Sequence, residues 1–139
     1  MRELINDRVH DYYWNQDLNC AITTLHILSE LFHAEIHPQV FEAAFGLNAG
    51  RSATQCGLVE GALMFVGLYG SKTGLEGSAI EELCRQFSGD FEQNFGSLLC
   101  RELRPQGFSP DNPPHLCEKL TKLAITFSAE FIAKAMGKT

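Results

Sequence analysis

Cys56-Gly57-Leu58-Val59-Glu60-Gly61-Ala62-Leu63-Met64-Phe65-Val66-Gly67-Leu68-Tyr69-Gly70 is apolar on most sides when wound as a helix. Just before it, Ser52-Ala53-Thr54-Gln55 has capping-box spacing, a Ser followed three residues on by a Gln. The expected helix runs from there to about Tyr69 and ends at Gly70. A helix apolar all round is a buried one, so it is expected at the centre of the fold. Gly57 and Gly61 lie four apart on one face, which Met64 and Leu68 extend. Each glycine costs a helix about 1 kcal/mol relative to alanine. Close approach of a second backbone offsets that cost, and it would bring Cys56 toward neighbouring helix starts. Tight packing without chemistry is the plainer reading of the same two glycines.

On the N-terminal side, Ile5, Val9 and Tyr12 or Tyr13 mark a short first helix. A second is expected over about 17–33, with Ala21, Leu25, Leu28 and Phe32 on one face and Asp17 or Asn19 as its cap. Pro38 fits the first turn of a third, carrying Val40, Phe41, Ala44 and Phe45. On the C-terminal side, Ser78-Ala79-Ile80-Glu81 is a second capping box. Ile80, Cys84, Phe87, Phe91 and Phe95 form the stripe behind it, and Gly96 ends that helix. Ser97 is placed to cap a short helix through Leu103. Residues 104–114 hold four of the five prolines and read as a loop. Asn112-Pro113-Pro114 then opens a last helix with Leu116, Leu120, Leu123, Phe127 and Phe131 in line. No run alternates with period 2, so the reading is all-α: one domain over 1–139, a bundle of about five main helices.

Length and composition bound what such a bundle does. The 139 residues, 45% of them hydrophobic, suffice for one folded core. A net charge of −6 with scattered Lys and Arg argues against a nucleic-acid partner. The N-terminus has no signal-like apolar stretch, and 58–69 is too short and too interrupted for membrane insertion, so a cytoplasmic location is expected.

Five cysteines in a reducing compartment argue against a disulfide scaffold. Cys20, Cys56, Cys100 and Cys117 each fall near an expected helix start. There, unpaired amides and the positive end of the helix dipole favour a thiolate. Cys84 lies mid-helix on an apolar stripe and reads as an inert core residue. No Cys-x-x-Cys occurs, so the local signatures of zinc ribbons, ferredoxins and thioredoxins are missing. Only folding can gather thiols this far apart; otherwise they are four separately buried cysteines.

The segment from Cys56 resembles the Cys-Gly-Ala-x-x-Gly motif of the C_GCAxxG_C_C redox-active family, with the family's apolar run and Gly-x-x-Tyr-Gly-like ending. Leu18-Asn19-Cys20-Ala21 resembles its first cysteine, Phe95 to Leu103 its third-cysteine segment, and Cys117 after a Pro-rich loop its fourth. The motif's Ala is Leu58 here, a larger neighbour that narrows any pocket beside Cys56. Cys84 has no counterpart in the pattern. The resemblance implies a bacterial protein in which Cys20, Cys56, Cys100 and Cys117 form one redox site. Covalent haem is unsupported, because Cys-x-x-Cys-His is absent.

Two chemistries fit such a site: an iron–sulfur cluster or other thiolate-bound metal carrying electrons, or dithiol/disulfide exchange with Cys56 attacking. Either makes it an electron-transfer protein or oxidoreductase needing a redox partner protein. The rival class is a structural metal-binding or protein-interaction module without turnover, with zinc on four thiolates or cysteines that only pack. Abundant apolar helix faces are compatible with a homodimer. Glu60, four residues after Cys56, shares its side of the helix and is a candidate to take a thiol proton or a metal. His33 and His37 have metal-like spacing, but Pro38 turns His37 away from helix. His10, His26 and His115 read as surface or packing residues, with His115 close enough in sequence to modulate Cys117. Tyr12, Tyr13 and Trp14 read as a packing patch. Gly46 to Gly50 lacks the ending of a phosphate loop.

Overall fold

A computed structural model describes residues 1–48, 54–104 and 114–137. The described chain is all-α: α1 (Arg2–Trp14), α2 (Cys20–Leu31), α3 (Pro38–Ala43), α4 (Gly57–Lys72), α5 (Gly77–Phe95), α6 (Cys100–Leu103) and α7 (Glu118–Met136), with 3-10 turns at Ala44–Gly46 and Pro114–Cys117. Five of these are long and two are short, in line with the bundle expected from sequence. The one extended contact among described residues is an isolated antiparallel bridge between Gln55 and Leu99.

The centre is α4 packed on α2. Gly57, Leu58, Val59, Gly61, Ala62, Phe65, Val66, Tyr69 and Gly70 are buried on α4, and α2 is buried on nearly every side. The two motif glycines explain the closeness. A Cβ on Gly61 would stand 2.6 Å from the Ala21 carbonyl oxygen, and one on Gly57 3.0 Å from both the Ala21 nitrogen and the Cys20 Cβ. No side chain fits between these backbones, so glycine is what allows α2 to lie against the start of α4. α5 and α7 close the core from the other side, and α1 packs on α2 and α7. Phe87 and Phe91 of α5 meet Phe127 and Phe131 of α7, with Phe87 and Phe131 edge to face at 5.3 Å.

Several boundaries differ from expectation. Asn19, not Asp17, caps α2: its Oδ1 accepts the Ile22 amide at 2.8 Å, while Asp17 turns left-handed at φ 51°. α4 starts at Gly57, because the chain before it is held extended against Leu99, and it runs on to Lys72, past the expected stop at Gly70. Gly70 is no terminus; a Cβ there would meet Ile80 Cγ1 at 2.9 Å. The residue before α5 is Glu76 and its side chain makes no cap, so the Ser78 box is not used as such. Gly96 ends α5 as expected, with φ 92°. Ser97 shapes the turn before α6 by accepting the Leu99 amide at 3.0 Å, but Leu99 is the N-cap. The Ser52 box and the Pro-rich stretch through Asn112 and Pro113 lie outside the described residues. On α7 the expected stripe is displaced. Leu123 is 56% exposed, and the buried seam is Thr121, Ala124, Ile125, Ser128, Ala129 and Ile132.

Candidate functional site

All four expected cysteines stand at helix starts. Cys20 and Cys100 are the first residues of α2 and α6; Cys56 and Cys117 are the N-caps of α4 and α7. Cys56, Cys100 and Cys117 are buried and Cys20 partly so, and none of the four is in a disulfide. Packing brings them toward one end of the bundle. The Gly57 contact sets Cys20 beside the start of α4. The strand-like pairing at Gln55 and Leu99 joins the third: the Cys56 amide donates to the Leu98 carbonyl at 2.8 Å, and the Cys100 amide to that of Thr54 at 3.0 Å. Cys20 and Cys117 lie near enough to shift each other's titration in opposite directions, and Cys56 feels the charge of Cys100 and Cys117 in turn.

A helix start was expected to favour the thiolate in all four. The structure limits that. Burial pushes Cys56 up to about 12; the Leu58 and Val59 amides pull the other way without closing a capping hydrogen bond, and they do not prevail. Cys20 is held well above the ordinary thiol range, first because its proton is engaged by Cys117 and then by burial. Cys117 goes down, to about 7. The hydrogen bond from Cys20 is the largest cause, and the Arg104 guanidinium adds charge and a further hydrogen bond against the cost of burial. Cys20 and Cys117 are therefore neighbouring thiols of unequal acidity, with Cys117 the one drawn down.

Three residues that the sequence reading passed over complete this end. Arg104, just past α6, is buried beside Cys117. Tyr13, read as packing, donates its hydroxyl to Cys20 Sγ at 3.3 Å and meets Thr121 Oγ1 at 2.7 Å. Thr121 stands four residues after Cys117 on α7, a spacing that placed it on the same face from the start. No sequence pattern connects Tyr13 or Arg104 to the cysteines.

The remaining candidates have other employment. Glu60 accepts the Asn48 backbone amide at 2.8 Å, which ties down the chain after α3, and burial raises its pKa. His26 stacks on Phe41 at 4.0 Å, and His37 Nδ1 caps the start of α3. His115 stacks on Trp14 at 3.9 Å, beside a cluster in which His10 and Trp14 both bond Glu118. Cys84 is half-buried with its thiol toward the Leu63 carbonyl at 4.0 Å, and burial raises its pKa, as suits a packing residue.

Metal chemistry was the other expectation. Among the described residues, no three His, Cys, Asp or Glu side chains are grouped so that they could hold a metal ion. No described helix is long and apolar enough to cross a membrane.

No curated protein sequence and no solved structure matches the chain. Residues 18–131 match the family described as "Putative redox-active protein (C_GCAxxG_C_C)". That span takes in all four cysteines of the pattern and most of the fold, so the chain belongs to the C_GCAxxG_C_C family.

Proposed function

We propose that the protein is a dithiol/disulfide oxidoreductase or electron carrier in which Cys117 attacks and Cys20 resolves. What supports this reading is that Cys20 and Cys117 are neighbours of unequal acidity, with the Cys117 thiol drawn down by Cys20 and by the Arg104 guanidinium. A thiolate is the attacking form, and a pKa near ambient pH gives the best compromise between ionised fraction and nucleophilicity. This assigns to Cys117 the attacking role that sequence alone suggested for Cys56, whose burial keeps it protonated.

The substrate class is a disulfide. The Cys117 thiolate attacks one sulfur, the substrate S–S bond breaks, and a mixed disulfide forms as the first substrate sulfur leaves. Cys20 gives its proton to that leaving thiolate. The Cys20 sulfur then attacks Cys117 Sγ, and the second substrate sulfur departs as a thiolate. Two electrons have passed from the cysteine pair, now a disulfide, to the substrate, now one thiol and one thiolate. The reverse sequence oxidises a dithiol partner. In this reading residues 1–139 act as one domain, since α1 brings Tyr13 to the cysteine end. The setting is a reducing cytoplasm with a redox partner protein.

Peptide mapping after incubation with oxidised glutathione tests the proposal. The expected product is a Cys20–Cys117 disulfide, and Cys20→Ser is expected to accumulate glutathione on Cys117. Oxidation that links other pairs, or that leaves Cys20 and Cys117 free, contradicts it.

A further inference from the structure

Tyr13 lies outside the span matched to the family and on a helix that carries no cysteine. Its ring is buried, and its hydroxyl lies between Cys20 Sγ and Thr121 Oγ1. Proton accounting orders these groups. Tyrosine and cysteine each have one proton to give. The Tyr13 proton goes to Cys20 Sγ, so the 2.7 Å contact with Thr121 is made by the threonine hydroxyl donating to the tyrosine oxygen. The result is a one-way chain, Thr121 to Tyr13 to Cys20, spanning α7, α1 and α2, with Cys117 at the start of α7 as the neighbour of its last member.

We infer that Tyr13 is a positioning residue of the redox pair: its hydroxyl holds the Cys20 sulfur and favours the dithiol over the disulfide. The inference rests on the Cys20–Cys117 exchange proposed above. The physical reason is a difference between two states. A reduced Cys20 sulfur accepts the phenolic proton, and accepts it more strongly as charge develops on it during attack. A disulfide sulfur is a much poorer acceptor. A donor fixed at that place by the ring's packing and by Thr121 is therefore worth more to the reduced pair. Its removal makes the pair easier to oxidise.

The test is the equilibrium of the full chain with reduced and oxidised glutathione, read by mapping the Cys20–Cys117 peptide pair. Tyr13→Phe keeps the ring and removes only the hydroxyl. It is expected to move the equilibrium about fivefold toward the disulfide, in keeping with one neutral hydrogen bond. An unchanged equilibrium in a folded Tyr13→Phe protein, or a shift toward the dithiol, overturns the inference and leaves the exchange reading standing. A wild-type chain that forms no Cys20–Cys117 disulfide at any glutathione ratio overturns both. Should Tyr13→Phe fail to fold, Thr121→Val probes the chain one link further back. A shift of about twofold toward the disulfide supports the inference, and no shift overturns it.

Discussion

Cys56 and Cys117 hold the same position in two helices, the residue just before the first turn, yet one thiol is pushed up to about 12 and the other drawn down to about 7. Each is buried, and each is the N-cap residue of a long helix, sixteen residues for α4 and nineteen for α7. What separates them is company. Cys56 is buried against apolar residues with the charges of two other thiols nearby, whereas Cys117 has the Cys20 thiol and the guanidinium of Arg104 beside it to favour its ionised form. A helix start contributes a fraction of a unit charge, an effect that fades within a turn. Desolvation of a thiolate outweighs that contribution unless a donor and a cation are built in beside it. The reactive cysteine is thus chosen by its neighbours, and the helix start only makes the choice available.

The sharpest way to break this contrast is to make Cys117 resemble Cys56. Cys20→Ala removes the largest cause of the lowered value, so the Cys117 pKa is expected to climb back toward the ordinary 9. A full return would cut its thiolate fraction at pH 7 from about half to roughly one part in a hundred. Arg104→Gln is expected to move it the same way by a smaller step. Site-resolved alkylation rates at pH 7 measure both changes.

A second set of variants asks whether the close approach of α2 and α4 is needed to hold the cysteines together. Gly61→Ala forces a Cβ against the Ala21 carbonyl and is expected to destabilise the fold by about 2 kcal/mol. Gly67→Ala, on the same helix with nothing within 4 Å of its added Cβ, is expected to stabilise by about 1 kcal/mol or less. Denaturant midpoints distinguish the two, and equal behaviour would remove the packing argument.

The smallest effect concerns the residue after Cys117. Burial pushes the Glu118 carboxyl up, but hydrogen bonds from Lys122, Trp14 and His10 outweigh it and set the pKa at about 2, against an ordinary 4.5. A carboxylate depressed in the folded state contributes stability that is complete above about 4.5 and is lost as pH falls toward 2. Solvent screening keeps that contribution to about 1 kcal/mol at most. Wild type is therefore expected to exceed Glu118→Gln in stability near neutrality and to lose the advantage between pH 4.5 and 2, as read by denaturation across that range.

Much of the fold was legible in the sequence because large apolar residues recur with the helical period. Ile5 and Val9 of α1 and Phe87 and Phe91 of α5 are buried where that period placed them. The period misled on α7, where Leu123 points outward and small residues line the buried seam. Helix packing there favours closeness over side-chain size, and a pattern that weighs bulk cannot see it. The cysteines were legible as helix starts, and Gly57 and Gly61 as a point of close approach. Which thiol ionises was not legible, because Arg104 and Tyr13 reach the pair from parts of the chain that share no spacing with it. Local sequence shows where a thiolate is permitted; the partners that stabilise it are set by tertiary structure.

The most direct measurement is the pH dependence of alkylation at each cysteine of the intact reduced protein, resolved by peptide mass. Cys117 is expected to titrate with a midpoint near 7 and then level off, while Cys56 stays unreactive until far above pH 9. A Cys117 whose reactivity is still rising through pH 9, in step with Cys56, would contradict the account.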